Sequence, residues 1–102
     1  MRILVATAAV ALAGLAAPAG AEAVPARVVL CHAHADFNIL ISSARNMTCR
    51  AAAREMRSYK GSIRTRFRTP GGFGCYRVSG NRLAGQWRCV RRTQAFRFEF
   101  SD

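Results

Sequence analysis

The sequence has few acidic residues and almost no lysine. Its 102 residues contain 5 Asp and Glu against 16 Lys and Arg, for a net charge of +11, and Lys60 is the only lysine. A small protein with such an excess attracts polyanions and acidic surfaces through its electric field. A GC-rich genome also favours arginine codons, so the charge is compatible both with a binding function and with codon bias.

The sequence also lacks an apolar run long enough to cross a membrane. Residues 3–17 are uncharged over about 15 positions, whereas a spanning helix needs roughly 20. Arg2 precedes this run, and Pro18 and Gly20 follow it. A short positive start, an apolar stretch and small residues before a cut are typical of a secretory signal peptide, with an uncleaved anchor as the alternative.

We therefore predict that residues 1–23 are a signal peptide and residues 24–102 a single small basic domain. Cleavage is expected after Ala21 or Ala23, and the product is expected to be periplasmic or secreted. Removal of Arg2 and Glu22 leaves the net charge at +11.

Cysteine is scarce, and no two cysteines form the Cys-x-x-Cys pair that zinc sites favour. An even number of cysteines in a short exported chain predicts disulfides, here among Cys31, Cys49, Cys75 and Cys89. Three pairings are open. A bond from Cys49 to Cys75 or Cys89 closes a longer loop and is favoured on entropy, with Cys31–Cys49 plus Cys75–Cys89 as the alternative.

One short helix is predicted after Thr48, which is a good N-cap residue. Spacings of three and four place the small and apolar residues on one stripe, namely Cys49, Ala52, Ala53, Met56 and Tyr59. Gly61 is the expected helix stop. A helix this short is not stable alone, so we expect it to pack on a sheet.

The C-terminal third predicts an antiparallel meander over residues 73–78, 85–90 and 95–100. Pairing Cys75 with Cys89, and Cys89 with Phe96, gathers the cysteines and aromatic residues on one face. Residues 28–35 alternate as a further strand, and a short extended piece follows at Phe37, Ile39 and Ile41. The predicted fold class is therefore α+β: one short helix packed on a three- to four-stranded antiparallel meander, stapled by disulfides.

Four short motifs stand out in the sequence: Thr48-Cys49, Gly72-Phe73-Gly74-Cys75, Trp87-Arg88-Cys89 and the final Phe96-Arg97-Phe98. Together they resemble those of uncharacterised small exported proteins of GC-rich bacteria. The resemblance covers roughly residues 42–100 and implies a Cys-headed helix, a Gly-Phe-x-Cys hairpin and a C-terminal aromatic strand. It implies export and brings no activity.

A cationic surface is the first candidate site. If residues 63–69 are extended, Arg64, Arg66 and Arg68 form a stripe that joins a polar meander face, which carries Tyr76, Arg88 and Arg97. Guanidinium groups bind phosphate or carboxylate in a bidentate manner, and a tyrosine between them can stack a base. A solvated basic loop is the alternative interpretation.

A metal site is the second candidate. His32, His34 and Asp36 project from one face of a strand, and a His-x-His pair there is a workable spacing for metal ligands. Two exposed histidines with no ligand are the alternative, and we expect no cofactor.

Catalysis by a small secreted nuclease would use His32 and His34 as acid and base. These are the only histidines in the sequence. Side chains two residues apart on one strand lie side by side, so the two histidines could not easily lie on opposite sides of a scissile phosphate. We therefore favour a non-enzymatic binding module for an acidic polymer, an anionic envelope component or an acidic protein. The nuclease, a periplasmic metal binder and a cationic toxin or antimicrobial are the alternatives.

Overall fold

The structure is a computed structural model and describes residues 27–102. The predicted signal peptide, residues 1–23, lies outside this range. The elements follow in chain order: β1 Val28–Asp36, β2 Ile39–Arg45, α1 Cys49–Ser58, β3 Arg66–Arg68, β4 Gly74–Gly80, β5 Ala84–Arg91 and β6 Gln94–Ser101. Within this range, no helix is long and apolar enough to cross a membrane.

All six strands form a single antiparallel sheet in the order β1-β2-β6-β5-β4-β3. The prediction of a helix with an antiparallel sheet is confirmed, but the prediction of three to four strands is wrong. The β1–β2 hairpin joins the meander because β2 pairs with β6, near the end of the chain. At the opposite edge, the short strand β3 pairs with β4.

The register of the meander agrees with the prediction. Cys75 lies opposite Cys89, which lies opposite Phe96, and Trp87 lies opposite Phe98. Because side chains alternate across a sheet, this register gives the sheet an apolar inner face and a polar outer face.

The inner face holds the hydrophobic core. The Trp87 and Phe98 rings stack at 5.6 Å between centroids, with an interplanar angle of 7°, and Phe73 meets Phe96 edge-on at 5.2 Å. All four are fully buried, and each buried side chain of this size contributes roughly 1.5–3 kcal/mol. The Trp87 indole Nε1–H donates to the backbone carbonyl of Arg64 at 2.8 Å, so the one polar atom of the ring is satisfied.

Helix α1 covers part of this face. The Thr48 hydroxyl accepts the N–H of Ala51 at 3.0 Å and caps the helix as predicted, and the buried side chains are Ala52, Ala53 and Met56. The predicted stop at Gly61 is wrong, because the helix ends at Ser58 and Tyr59 is already extended.

Tyr59 follows the last residue of the helix and packs on β3, the strand at the far edge of the sheet. Its ring stacks on Phe67 at 4.4 Å, and its hydroxyl donates to the carbonyl of Ser62 at 2.6 Å. These contacts fix the connection from α1 to β3.

The disulfides are Cys31–Cys49 and Cys75–Cys89. The favoured bond from Cys49 to Cys75 or Cys89 is therefore wrong. Only Asn46, Met47 and Thr48 separate β2 from α1, so the helix begins close to the β1–β2 hairpin and packs on those two strands. Cys49 thus meets Cys31 on β1, while Cys75 and Cys89 are directly opposite on β4 and β5.

Candidate functional site

The outer face of the sheet carries a line of three arginines and one tyrosine that crosses four strands. Arg66 on β3 pairs with Tyr76 on β4, Tyr76 with Arg88 on β5, and Arg88 with Arg97 on β6. We call these four residues the arginine row. The chain positions differ widely, but the register brings the residues together at the strand spacing of about 4.8 Å.

Two arginines of the row face each other directly. Arg88 and Arg97 are register partners, and like charges opposite each other on one sheet face are destabilising. The Arg88 guanidinium donates to the Tyr76 hydroxyl at 3.1 Å. That hydrogen bond directs the tyrosine side chain towards β5 but supplies no negative charge. An anion that accepts from both guanidinium groups would relieve the repulsion between them.

Beside the row runs a second line of register partners with small or short apolar side chains. Gly74, Val90 and Ala95 are successive partners on β4, β5 and β6. Arg68 on β3 lies at one end and Arg45 on β2 at the other. We call Gly74, Val90 and Ala95 the trough, because the arginine row stands higher along one side of them.

Two depressions in the outer face coincide with the trough. One is an open depression of about 610 Å³ over Gly74 and Val90 and is bordered by Arg66, Arg68 and Tyr76. The other encloses about 170 Å³ over Ala95. The side chains around this smaller depression include the cations Arg45, Arg88 and Arg97 and the Ser43 hydroxyl. The depressions adjoin each other, since Val90 and Ala95 are register partners.

The structure therefore brings together most of the predicted cationic surface. The arginine row contains Arg66, Tyr76, Arg88 and Arg97. Arg68 follows Arg66 by two residues on β3 and therefore lies on the same face. Arg64 precedes β3 and is outside the sheet register.

Sequence reasoning missed Ser43, Arg45 and the open position at Gly74. Ser43 and Arg45 reach the site only because β2 pairs with β6, as Ser43 with Arg97 and Arg45 with Ala95. No local pattern in the sequence signals that pairing. For Gly74, the predicted meander register itself contained the signal, because that register places Gly74 beside Tyr76 on the polar face.

The structure does not bring the three predicted metal ligands together as one group. His32 and His34 are exposed, with ring centroids 5.8 Å apart, but the Asp36 carboxylate accepts the backbone N–H of Phe37. The pairing of β1 with β2 is irregular between His34 and Asp36, which breaks the regular alternation. Within residues 27–102, no group of three or more His, Cys, Asp or Glu side chains is arranged to hold a metal ion.

Asp36 lines a separate cleft of about 660 Å³ between the end of α1 and the β1–β2 turn. Basic side chains of Arg57 and Lys60 also border this cleft, with Met56 and Ile39 beneath. Its mixed charge contrasts with the outer face, where the surroundings of both depressions are cationic.

Comparison with known proteins finds no matching family model, no matching curated sequence and no matching solved structure. The function is therefore inferred from the residues of the site itself.

Proposed function

We propose that this protein is an exported, non-enzymatic binding protein that holds an acidic partner or polyanion on the outer face of its sheet. The observation that carries the proposal is the arginine row with its neighbours. The register places five arginines on one side of a single sheet, namely Arg45, Arg66, Arg68, Arg88 and Arg97. In the same register, Glu99 is the acidic residue of that face, opposite Gln86.

The arrangement favours binding over a merely soluble basic surface. Solvated charges that serve only solubility are best spread apart, because direct like-charge partners cost stability. Here Arg88 and Arg97 are direct partners, and Arg45 borders the same small depression. Guanidinium groups that border one depression match the oxygen atoms of phosphate, sulfate or carboxylate.

Two features support export. The N-terminal pattern is that of a signal peptide with cleavage after Ala21 or Ala23. Both disulfides join cysteines of the described domain, and disulfides persist in oxidising compartments. We also propose that the chain is related to the small exported proteins of GC-rich bacteria that its motifs resemble.

The test measures binding of purified residues 24–102, with oxidised disulfides, to fluorescently labelled heparin and to inorganic polyphosphate. We expect affinity to fall steeply as salt rises. Replacing Arg88 and Arg97 by Gln should weaken binding and lower the slope of log K against log salt by about 1–2.

The matched control replaces Arg50 and Arg54 by Gln. This variant loses the same charge from the exposed side of α1, so it should retain most of the affinity. Equal losses in both variants would show attraction by net charge alone, and no binding at low salt would refute the proposal. Degradation of RNA that disappears in His32→Ala would replace it with the nuclease alternative.

A further inference from the structure

The trough beside the arginine row offers more than positive charge. Gly74 is exposed, and a Cβ atom built there meets no atom within 4 Å. Its missing side chain therefore leaves open space on the outer face beside Tyr76, two residues along the same strand. A ligand that interacted with charge alone would have no use for this space.

Tyr76 is held in place at the side of this space. It is half-buried, borders the depression over Gly74, and its hydroxyl accepts a hydrogen bond from Arg88 at 3.1 Å. The depression thus has an aromatic side, a floor of Gly74 and Val90, and a cationic rim at Arg66 and Arg68. Aromatic side chains beside guanidinium groups on an open sheet are how many proteins hold unpaired bases.

We propose that the trough and the arginine row bind single-stranded nucleic acid, with a base over Gly74 against Tyr76 and phosphates along the arginines. This inference deepens the function proposed above and rests on it. The cations extend from Arg68 on β3 to Arg45 on β2. That distance is four strand spacings of about 4.8 Å each, long enough for several nucleotides.

Other polyanions fit these features less well. A duplex hides the faces of its bases, and polyphosphate or a sulfated polysaccharide has no flat aromatic ring to place in the depression. A lipid has phosphate at one end of a long acyl chain, but the apolar side chains along the trough are few and short, namely Val90 and Ala95 with Val28 beyond Arg45 at the β1 end. A single strand alone offers phosphates and exposed ring faces in alternation.

Gly74→Ile provides the test, because it places a bulky side chain in the depression without altering any charge. The added side chain enters open space, and a β-branched residue suits a strand, so the fold should be retained. Circular dichroism and the fluorescence of Trp87, the only tryptophan, check this. The probes are a labelled oligodeoxythymidylate of about eight nucleotides, inorganic polyphosphate of matched charge, the corresponding DNA duplex and phosphatidylglycerol vesicles.

We expect the wild-type domain to bind the single strand more tightly than polyphosphate or the duplex. Gly74→Ile and Tyr76→Leu should each weaken single-strand binding at least about fivefold while leaving polyphosphate binding unchanged. Arg50→Gln is the control that should change single-strand binding little.

Three outcomes would overturn the inference. Equal binding of single strand and polyphosphate, unaffected by Gly74→Ile, would leave only the general polyanion function. Vesicle binding that Gly74→Ile abolishes, without an effect on the oligonucleotide, would identify a lipid as the ligand. Failure of every probe to bind at low salt would refute both the inference and the function on which it rests.

Discussion

Asn46 connects three parts of the sheet from an uncommon backbone conformation. Its φ of 56° lies in the left-handed region, which asparagine tolerates better than most residues. Its side-chain Oδ1 accepts the N–H of Arg27 at 3.0 Å, and its Nδ2 donates to the carbonyl of Thr93 at 2.8 Å. One residue thus connects the start of β1 and the β5–β6 turn at the end of β2.

We expect Asn46→Ala to lower the free energy of unfolding by about 1–3 kcal/mol, because it loses both hydrogen bonds and strains the backbone. Asn46→Gly keeps the conformation and should recover part of that loss. Urea unfolding followed by Trp87 fluorescence measures both variants. An Asn46→Ala variant as stable as wild type would show that the hydrogen bonds contribute nothing.

For single residues, the sequence predicts membership of the candidate site where the neighbouring site residues are close in the chain. Tyr76, Arg88 and Arg97 share a face because two tight hairpins join their strands, and turn residues reveal such hairpins. Arg45 belongs to the same face through a partner 50 positions later, Ala95. No property of Arg45 itself indicates that contact.

Gly74 on β4 and Gly85 on β5 have opposite spatial requirements. At Gly85, an added Cβ would lie 2.5 Å from the carbonyl oxygen of Ser79 and 3.2 Å from the Trp87 ring, whereas at Gly74 it meets nothing within 4 Å. Gly85 therefore permits close approach of the backbone, while Gly74 leaves a space on the surface.

We predict that Gly85→Ala destabilises the domain by about 1–3 kcal/mol through overpacking. Gly74→Ala should be neutral or stabilise it by up to about 1 kcal/mol, because alanine costs less conformational entropy. Thermal unfolding of the two variants, compared side by side, gives both values. Equal destabilisation of the two would contradict the assigned difference between the faces of the sheet.

The elements themselves were predictable where one periodicity dominates. Helix α1 begins at the predicted Thr48 cap, and the three meander strands pair in the predicted register. The sequence pattern predicts that Phe37 continues the alternation of Ile39 and Ile41, but Phe37 lies in the β1–β2 turn and is 94% exposed. Apolar spacing alone does not separate a strand residue from a turn residue beside it.

The whole molecule depends on two disulfides that act on different parts of the fold. Cys31–Cys49 ties α1 to the edge strand β1 across 18 residues, and Cys75–Cys89 crosses the β4–β5 pair across 14 residues. For a chain of this size, each bond is worth about 3 kcal/mol in the loop-entropy model, a large part of the total stability.

We predict that mass spectrometry of the unreduced protein finds Cys31 linked to Cys49 and Cys75 linked to Cys89. The double variant Cys31→Ala/Cys49→Ala should lose about 3 kcal/mol in denaturant unfolding. A peptide that joins Cys49 to Cys75 or Cys89 would contradict the position of the helix over β1 and β2.

The central claim is that the outer face of the sheet is the binding surface. Titration of the isotopically labelled domain with an oligodeoxythymidylate or polyphosphate, followed by backbone amide NMR shifts, tests it most directly. We predict shifts concentrated at Arg66, Gly74, Tyr76, Arg88 and Arg97, with little change along Cys49–Ser58. Shifts centred on that helix, or spread evenly over all basic residues, would contradict the account.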